Sequence, residues 1–181
     1  KELSKLNIMV IGETIIDEYV YCDALGKAGK EPILTYNKNN TETYLGGSLA
    51  TAQNISDFVK KVYLISALGA KKEKEKFISK YLNPNIVKNF IYKENSPTIT
   101  KTKIFDQLNN NKILGFYEFN DKLLGLNQEK KLFKLIQKFS KKVDAIIISD
   151  YGHGLISKSL VSKIKKLKNT FVVNTQINSA N

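Results

Sequence analysis

Apolar residues fall along this chain in two alternating rhythms. The runs Ile8-Met9-Val10-Ile11 and Ala145-Ile146-Ile147-Ile148 are apolar without interruption, the pattern of a strand covered on both faces. Apolar positions at helical spacing in 49–59, the Lys- and Glu-rich stretch 71–81, and the segments 128–140 and 157–168 predict helices. Further strands are predicted at 62–66, 86–92 and 171–174. Strand and helix thus alternate, and that order predicts an α/β fold with a mostly parallel sheet flanked by helices.

Two stretches break the order. In residues 19–44, β-branched and aromatic residues alternate with polar ones at Tyr19-Val20-Tyr21, Ile33-Leu34-Thr35-Tyr36 and Thr41-Glu42-Thr43-Tyr44, which predicts a hairpin about an Asn-rich turn at 37–40. Residues 98–119 repeat the pattern, two extended runs about Asn109-Asn110-Asn111. Together the hairpins make one small four-stranded sheet, a flap standing off the main one. It carries Tyr21, Ile33, Tyr36, Tyr44, Ile104 and Phe116, too many large apolar groups to leave in water, so it is expected to pack on a second copy or on the body. The 181 residues read as one domain with two flap segments, about 19–44 and 98–119. The chain starts at Lys1 without a methionine and stops soon after the run 171–174, so it reads as incomplete.

Composition narrows the class. With 42% hydrophobic residues the chain can bury a sizeable core. No apolar run approaches the roughly 20 residues of a membrane span, no signal-peptide pattern opens the chain, and one cysteine, Cys22, cannot form an internal disulfide, so a cytoplasmic protein is expected. The charge of +12 raises the question of nucleic acid, but every basic residue is lysine, so the bidentate arginine contacts of base readout are absent; no nucleic-acid partner is expected. One histidine and one cysteine are too few for a Cys/His zinc site, and no metal site is predicted.

The candidate chemistry lies where strands end. Gly46 and Gly47 stand between an extended run and a predicted helix, where close approach to the backbone and outward N–H groups suit an anionic or hydroxyl-rich ligand. A tight turn packed under a strand explains the pair equally simply. Asp17 lies just past the first strand, where ligands gather in open α/β sheets, and fits a hydroxyl-binding carboxylate; a capping aspartate is the plain alternative. Asp150, Gly152, His153 and Gly154 follow the second apolar strand in the same way.

Four segments, GETIID (12–17), GGSLATAQN (46–54), PTITKTK (97–103) and ISDYGHG (148–154), occur in an order and spacing that resemble the ribokinase-type (phosphofructokinase-B) carbohydrate kinases. The match leans to the heptose-phosphate kinase branch, with its GDVMLD, GGAANVARN, PTxxKxR and SDYGKG. The resemblance implies a ribokinase-like sheet with a β-lid made of the two hairpins, a sugar or sugar phosphate bound beneath it, and transfer of the ATP γ-phosphoryl group with Mg²⁺; the apolar groups of the lid add the expectation of a homodimer joined through it. By position it assigns sugar contacts to Asp17, Gly46 and Gly47 and sugar-phosphate contacts to Lys101 and Lys103, and it sets Asp150 and His153 near phosphate. Ala50 stands where the family has asparagine, leaving Thr51 or Asn54 to substitute; Lys103 replaces arginine and His153 replaces lysine. The family's catalytic base, an aspartate of a GAGD-type motif, matches nothing in these residues, so the chain is expected to supply the substrate half, with no catalytic residue of its own. A non-catalytic sugar-binding or dimerisation module remains an alternative. So does a nucleotide-binding Rossmann-type enzyme, although Gly12-Glu13-Thr14 stands where its GxGxxG belongs and no GxxxxGK[ST] loop occurs.

Overall fold

The computed structural model describes residues 2–176. The chain runs β1 (Asn7–Gly12), β2 (Thr14–Lys27), β3 (Leu34–Gly47), α1 (Ser48–Ser56), β4 (Lys61–Gly69), α2 (Glu75–Tyr81), β5 (Ile86–Lys93), β6 (Ile99–Asp106), β7 (Asn111–Glu118), α3 (Leu126–Ser140), β8 (Ala145–Asp150), α4 (Lys158–Ile164) and β9 (Thr170–Thr175). Five strands form a wholly parallel sheet in the order β5-β4-β1-β8-β9.

The uninterrupted apolar run of β1 follows from burial on both sides. Met9 and Ile11, with Ile146 and Ile148, pack under Leu132, Ile136 and Phe139 of α3 and Leu160 and Ile164 of α4. Ile8 and Val10, with Val62 and Leu64, pack under Leu49 and Ala52 of α1 and Ile78 of α2. Each such side chain contributes at most about 1.5–3 kcal/mol. The two helices of the first layer are also tied by polar groups. The Ser157 hydroxyl caps α4 by accepting the Leu160 N–H at 2.9 Å and donates to Glu129 Oε2 at 2.6 Å, while Lys163 reaches Glu129 Oε1 at 2.6 Å. The Lys163 ammonium and then the Ser157 hydroxyl hold the Glu129 carboxyl below its usual range despite its burial.

The hairpins join into a second sheet, order β3-β2-β6-β7, in which β2 pairs parallel with β6 and each hairpin is antiparallel. One turn differs from expectation. The first hairpin bends at residues 28–33, where the Ala28 N–H donates to the Ile33 carbonyl at 2.9 Å. The asparagines at 37–40 lie within β3. Gly29 and Pro32 carry the turn chemistry, whereas Asn39, unpaired at a register shift, donates to Asp23 at 2.8 Å and Gln107 at 2.7 Å. The apolar groups of this sheet are treated unequally: Tyr21, Tyr36 and Ile104 are half-buried, whereas Ile33, Tyr44 and Phe116 are exposed, as is every residue of β7.

Candidate ligand-binding site

The corner at Gly46 and Gly47 is the hinge between the two sheets. Gly47 has φ 56° and ψ −135°, a conformation costly for any other residue, and a Cβ there would stand 2.5 Å from the Glu13 carbonyl oxygen. That carbonyl accepts the Ser48 N–H at 2.8 Å, so the end of β1 holds the start of α1. Beneath the corner, the buried Ser66 hydroxyl donates to the Gly12 carbonyl at 2.6 Å and meets Thr14 at 2.8 Å and Ser48 at 3.2 Å. Thr51 hydrogen-bonds Ser149 at 3.1 Å, which ties α1 to the end of β8.

Asp17 is not at the carboxyl end of β1, as its sequence position suggests. After the single residue Glu13 the chain resumes as β2, and Asp17 is the fourth residue of that strand, in the second sheet. Its Oδ2 occupies the space that a side chain at Gly46 would fill, only 2.4 Å from an ideal Cβ. Its Oδ1 lies 3.0 Å from the Lys103 ammonium, each side chain about one quarter exposed. Burial alone would push Lys103 down, but the Asp17 carboxylate offsets this and holds the ammonium above its ordinary value. Lys101 is the register partner of Asp17 across β2 and β6, so it shares that face of the sheet, with its ammonium 5.9 Å from the Tyr117 ring.

Asp17, Gly46 and Gly47 front a cavity of about 590 Å³ that is also lined by Ala50 and by the rings of Tyr19, Tyr21, Tyr44 and Phe105; Lys101 and Lys103 are not among the residues that line it. Tyr19 meets Tyr44 edge to face at 5.6 Å and Phe105 at 5.7 Å. The Tyr21 and Tyr44 hydroxyls both donate to Glu42 Oε2, at 3.2 and 2.7 Å, which fixes the rings. A carboxylate paired with an ammonium beside edge-to-face and tilted rings suits a small polyol, whose hydroxyls donate to the acid and whose C–H faces lie on the rings.

The other candidates are elsewhere. Asn54 is exposed on α1 and does not line this cavity; Ala50 fills the helix position that does. Thr51 is engaged with Ser149 and the Gly47 carbonyl. Asp150 accepts the Gly152 N–H at 3.0 Å and shapes the turn after β8. His153 is buried, its Nδ1 2.7 Å from Asp121 and its ring 5.6 Å from Phe119, beside a separate cavity of about 20 Å³ shared with Glu13, Lys93 and Leu155.

The sequence pattern did not single out Glu13. It is 2% exposed, and its carboxylate accepts the Tyr151 N–H at 3.0 Å and the Leu155 N–H at 3.2 Å, holding the loop after β8 against the end of β1. Burial pushes its pKa up. Lys93, at the end of β5, donates to the carbonyls of Asn120 and, at 3.2 Å, His153, and burial pushes its pKa down. The signal was an acid directly after the strand-ending glycine. Among the described residues, no group of three or more His, Cys, Asp or Glu side chains is placed to hold a metal ion. Nor is any helix there long and apolar enough to cross a membrane.

Comparison with known proteins gives a consistent picture. Residues 5–174 match the pfkB family carbohydrate kinase profile. Among curated relatives, the bifunctional protein HldE of Nitratiruptor sp. is 24% identical over 162 residues, 88% of this chain and 34% of that protein. HldE of Helicobacter pylori is 27% identical over 163 residues, 90% of this chain and 35% of that protein. The chain therefore spans about a third of the length of these relatives. Among solved structures, a possible 1-phosphofructokinase from Thermotoga maritima superposes with TM-score 0.67 at 17% identity, covering 91% of this chain and 53% of that one. Arabidopsis thaliana ribokinase complexed with ribose and ATP gives 0.60 at 12% identity, covering 93% and 53%. These likenesses show a ribokinase-like fold.

Proposed function

Because the chain belongs to the pfkB family of carbohydrate kinases, we propose that it forms the sugar-binding face of an ATP-dependent kinase that phosphorylates a hydroxyl of a sugar or sugar phosphate. The observation that carries this reading is the Asp17 carboxylate seated against Gly46, with Lys101 and Lys103 on the same face of the second sheet. Asp17 accepts sugar hydroxyls, the two glycines let the ring approach the backbone, and the lysines meet an anionic group. The second sheet acts as a lid that excludes water, which matters because phosphoryl transfer depends on positioning and charge neutralisation. ATP is the donor. Asp150 and His153 belong to the loop that faces the transferred phosphate. The base that takes the hydroxyl proton lies outside these residues, and loss of a positioned base removes on the order of 10²–10⁴ in rate.

The test is an ATP-consumption assay with Mg²⁺ and a panel of sugars and sugar phosphates. The full-length gene product is expected to turn over, and the 181-residue chain alone to bind sugar weakly without turnover. Sugar-dependent turnover by the 181-residue chain would overturn the division of labour. Binding by the full-length product without ATP consumption would favour a non-catalytic sugar-binding module, which the departures at Ala50, Lys103 and His153 favour.

The lid also supports self-association. Its edge strand β7 exposes Leu114, Phe116 and Tyr117, each more than half accessible, and an unpaired apolar edge is a standing invitation to a second copy. Sedimentation is expected to give a homodimer, and Phe116→Lys a monomer with an unchanged melting temperature. A wild-type monomer at micromolar concentration would rule this out.

A further inference from the structure

Residues 69–74, at the end of β4 and ahead of α2, take hold of both central strands of the second sheet. Glu73 Oε1 accepts the Thr98 N–H at 2.7 Å, just before β6 begins, and the Thr98 hydroxyl accepts the Gly69 N–H at 2.9 Å. A Cβ on Gly69 would collide with the Thr98 nitrogen, so the two segments touch backbone to backbone. The next residue takes the other strand: Lys74 Nζ stands 2.7 Å from Glu18 Oε1 on β2. Glu18 Oε2 accepts the hydroxyl of Thr102, its register partner on β6, at 3.1 Å, so the ion pair reaches both strands. Burial alone would push the Glu18 carboxyl up, but the Lys74 ammonium and the Thr102 hydroxyl hold it below its ordinary value, and the charge of Lys38 acts in the same sense. The gripping segment is itself stiff. Lys72 is held at φ 57°, rare for a lysine, with its ammonium 4.3 Å from the centre of the Tyr92 ring, and the Tyr92 hydroxyl donates to Glu75 of α2 at 3.0 Å. Strand alternation puts Glu18 and Asp17 on opposite faces of β2, so Lys74 acts from the side away from the Asp17 cavity, which it does not line.

Building on the sugar-binding reading above, we propose that segment 69–74 is the mount that sets the angle of the lid to the body, and that Lys74 and Glu18 are positioning residues for Asp17. Glu73 pins the root of β6, and Lys74 pins the neighbouring strand further out. Attachment at both points resists a rotation that the strand ends alone permit. Without Lys74 the lid still hangs from its strand ends, but β2 carries Asp17 over a wider range of positions relative to Ala50 and the start of α1, which complete the cavity. A ligand that bridges lid and helix then meets a protein of which only a fraction is aligned, and its affinity falls by that fraction. Both members of the pair are about one quarter exposed, so the attachment is reversible and its effect is moderate.

Two measurements on the full-length gene product test this. One is calorimetry with ribose, fructose and fructose 6-phosphate. The other is the spin-label distance between Leu108→Cys, in the exposed turn after β6, and Lys141→Cys, exposed after α3, in a background without other exposed cysteines. Lys74→Met is expected to broaden the distance distribution and to weaken the best-bound probe about 3- to 5-fold, with its melting temperature nearly unchanged, and Lys74→Arg to restore both. Glu18→Gln is expected to match Lys74→Met, and the double variant to be no worse than either alone. An unchanged distance distribution in Lys74→Met would overturn the mount, and additive losses in the double variant would overturn the pair. A broadened distribution with full affinity would overturn the positioning of Asp17. If wild-type protein binds none of the three probes, the sugar-binding reading fails, whereas the distance comparison still decides the mount.

Discussion

Glu13→Ala is expected to lower the unfolding free energy by about 3 kcal/mol, because it removes one acceptor from each of two backbone N–H groups, Tyr151 and Leu155, inside the core. It also takes a negative charge from the neighbourhood of the buried Lys93. Glu13→Gln keeps the shape and one acceptor, and is expected to lose about half as much. The two variants differ from wild type in their pH response as well. Burial raises the Glu13 pKa above the ordinary 4.5, so the folded state takes up this proton before the unfolded state does. The contribution is fully present below about 4.5 and is lost as pH rises through the folded value. The stability of wild type minus that of Glu13→Gln should therefore increase as pH falls from 7 toward 4.5. Glu18, Glu73 and Glu129, whose values are lowered, act in the opposite sense but in both proteins, and they cancel in the difference. Urea titrations at several pH values measure it; a constant difference would mean that Glu13 is ionised in the fold at no cost.

The sequence disclosed what burial dictates. β1 and β8 announce themselves because both their faces are covered, which leaves no position for a polar residue. The second sheet was legible from β-branched and aromatic alternation, but its first turn was not. Asparagine satisfies an exposed, bulged strand as readily as a turn, and only Asn39's bonds to Asp23 and Gln107 tell the two apart. Asp17 illustrates the same limit at the site. Its place in the sequence suggests the end of β1, yet one residue is enough to turn the chain into β2 and carry the acid into another sheet. What brings Lys103 to it is parallel pairing between β2 and β6, whose strand starts lie 85 residues apart by position (14 and 99), so no local pattern could report it. The short-range resemblance of four motifs found these residues, whereas Glu13, next to a strand-ending glycine, was not singled out.

Gly46→Ala is expected to cost about 100-fold in affinity for the best-bound sugar of the panel while leaving the fold almost as stable as before. The reason is a single distance. An added methyl group would lie 2.4 Å from Asp17 Oδ2, closer than any carbon and oxygen can approach, so the carboxylate must turn out of its seat. Gly46 has no positive φ, and the next contact, the Ile15 carbonyl at 3.2 Å, is tight rather than prohibitive, so the backbone itself accepts alanine. Two charge-assisted hydroxyl contacts misplaced by about an ångström account for roughly 3 kcal/mol. Its neighbour should behave in the opposite way. Gly47→Ala forces a side chain onto φ 56° and to within 2.5 Å of the Glu13 carbonyl, where only backbone can yield, so it is expected to lower the melting temperature sharply. Calorimetry and thermal unfolding on the pair separate the two roles: full sugar affinity in Gly46→Ala would mean that the Asp17 carboxylate, where it stands against β3, is not what grips the sugar.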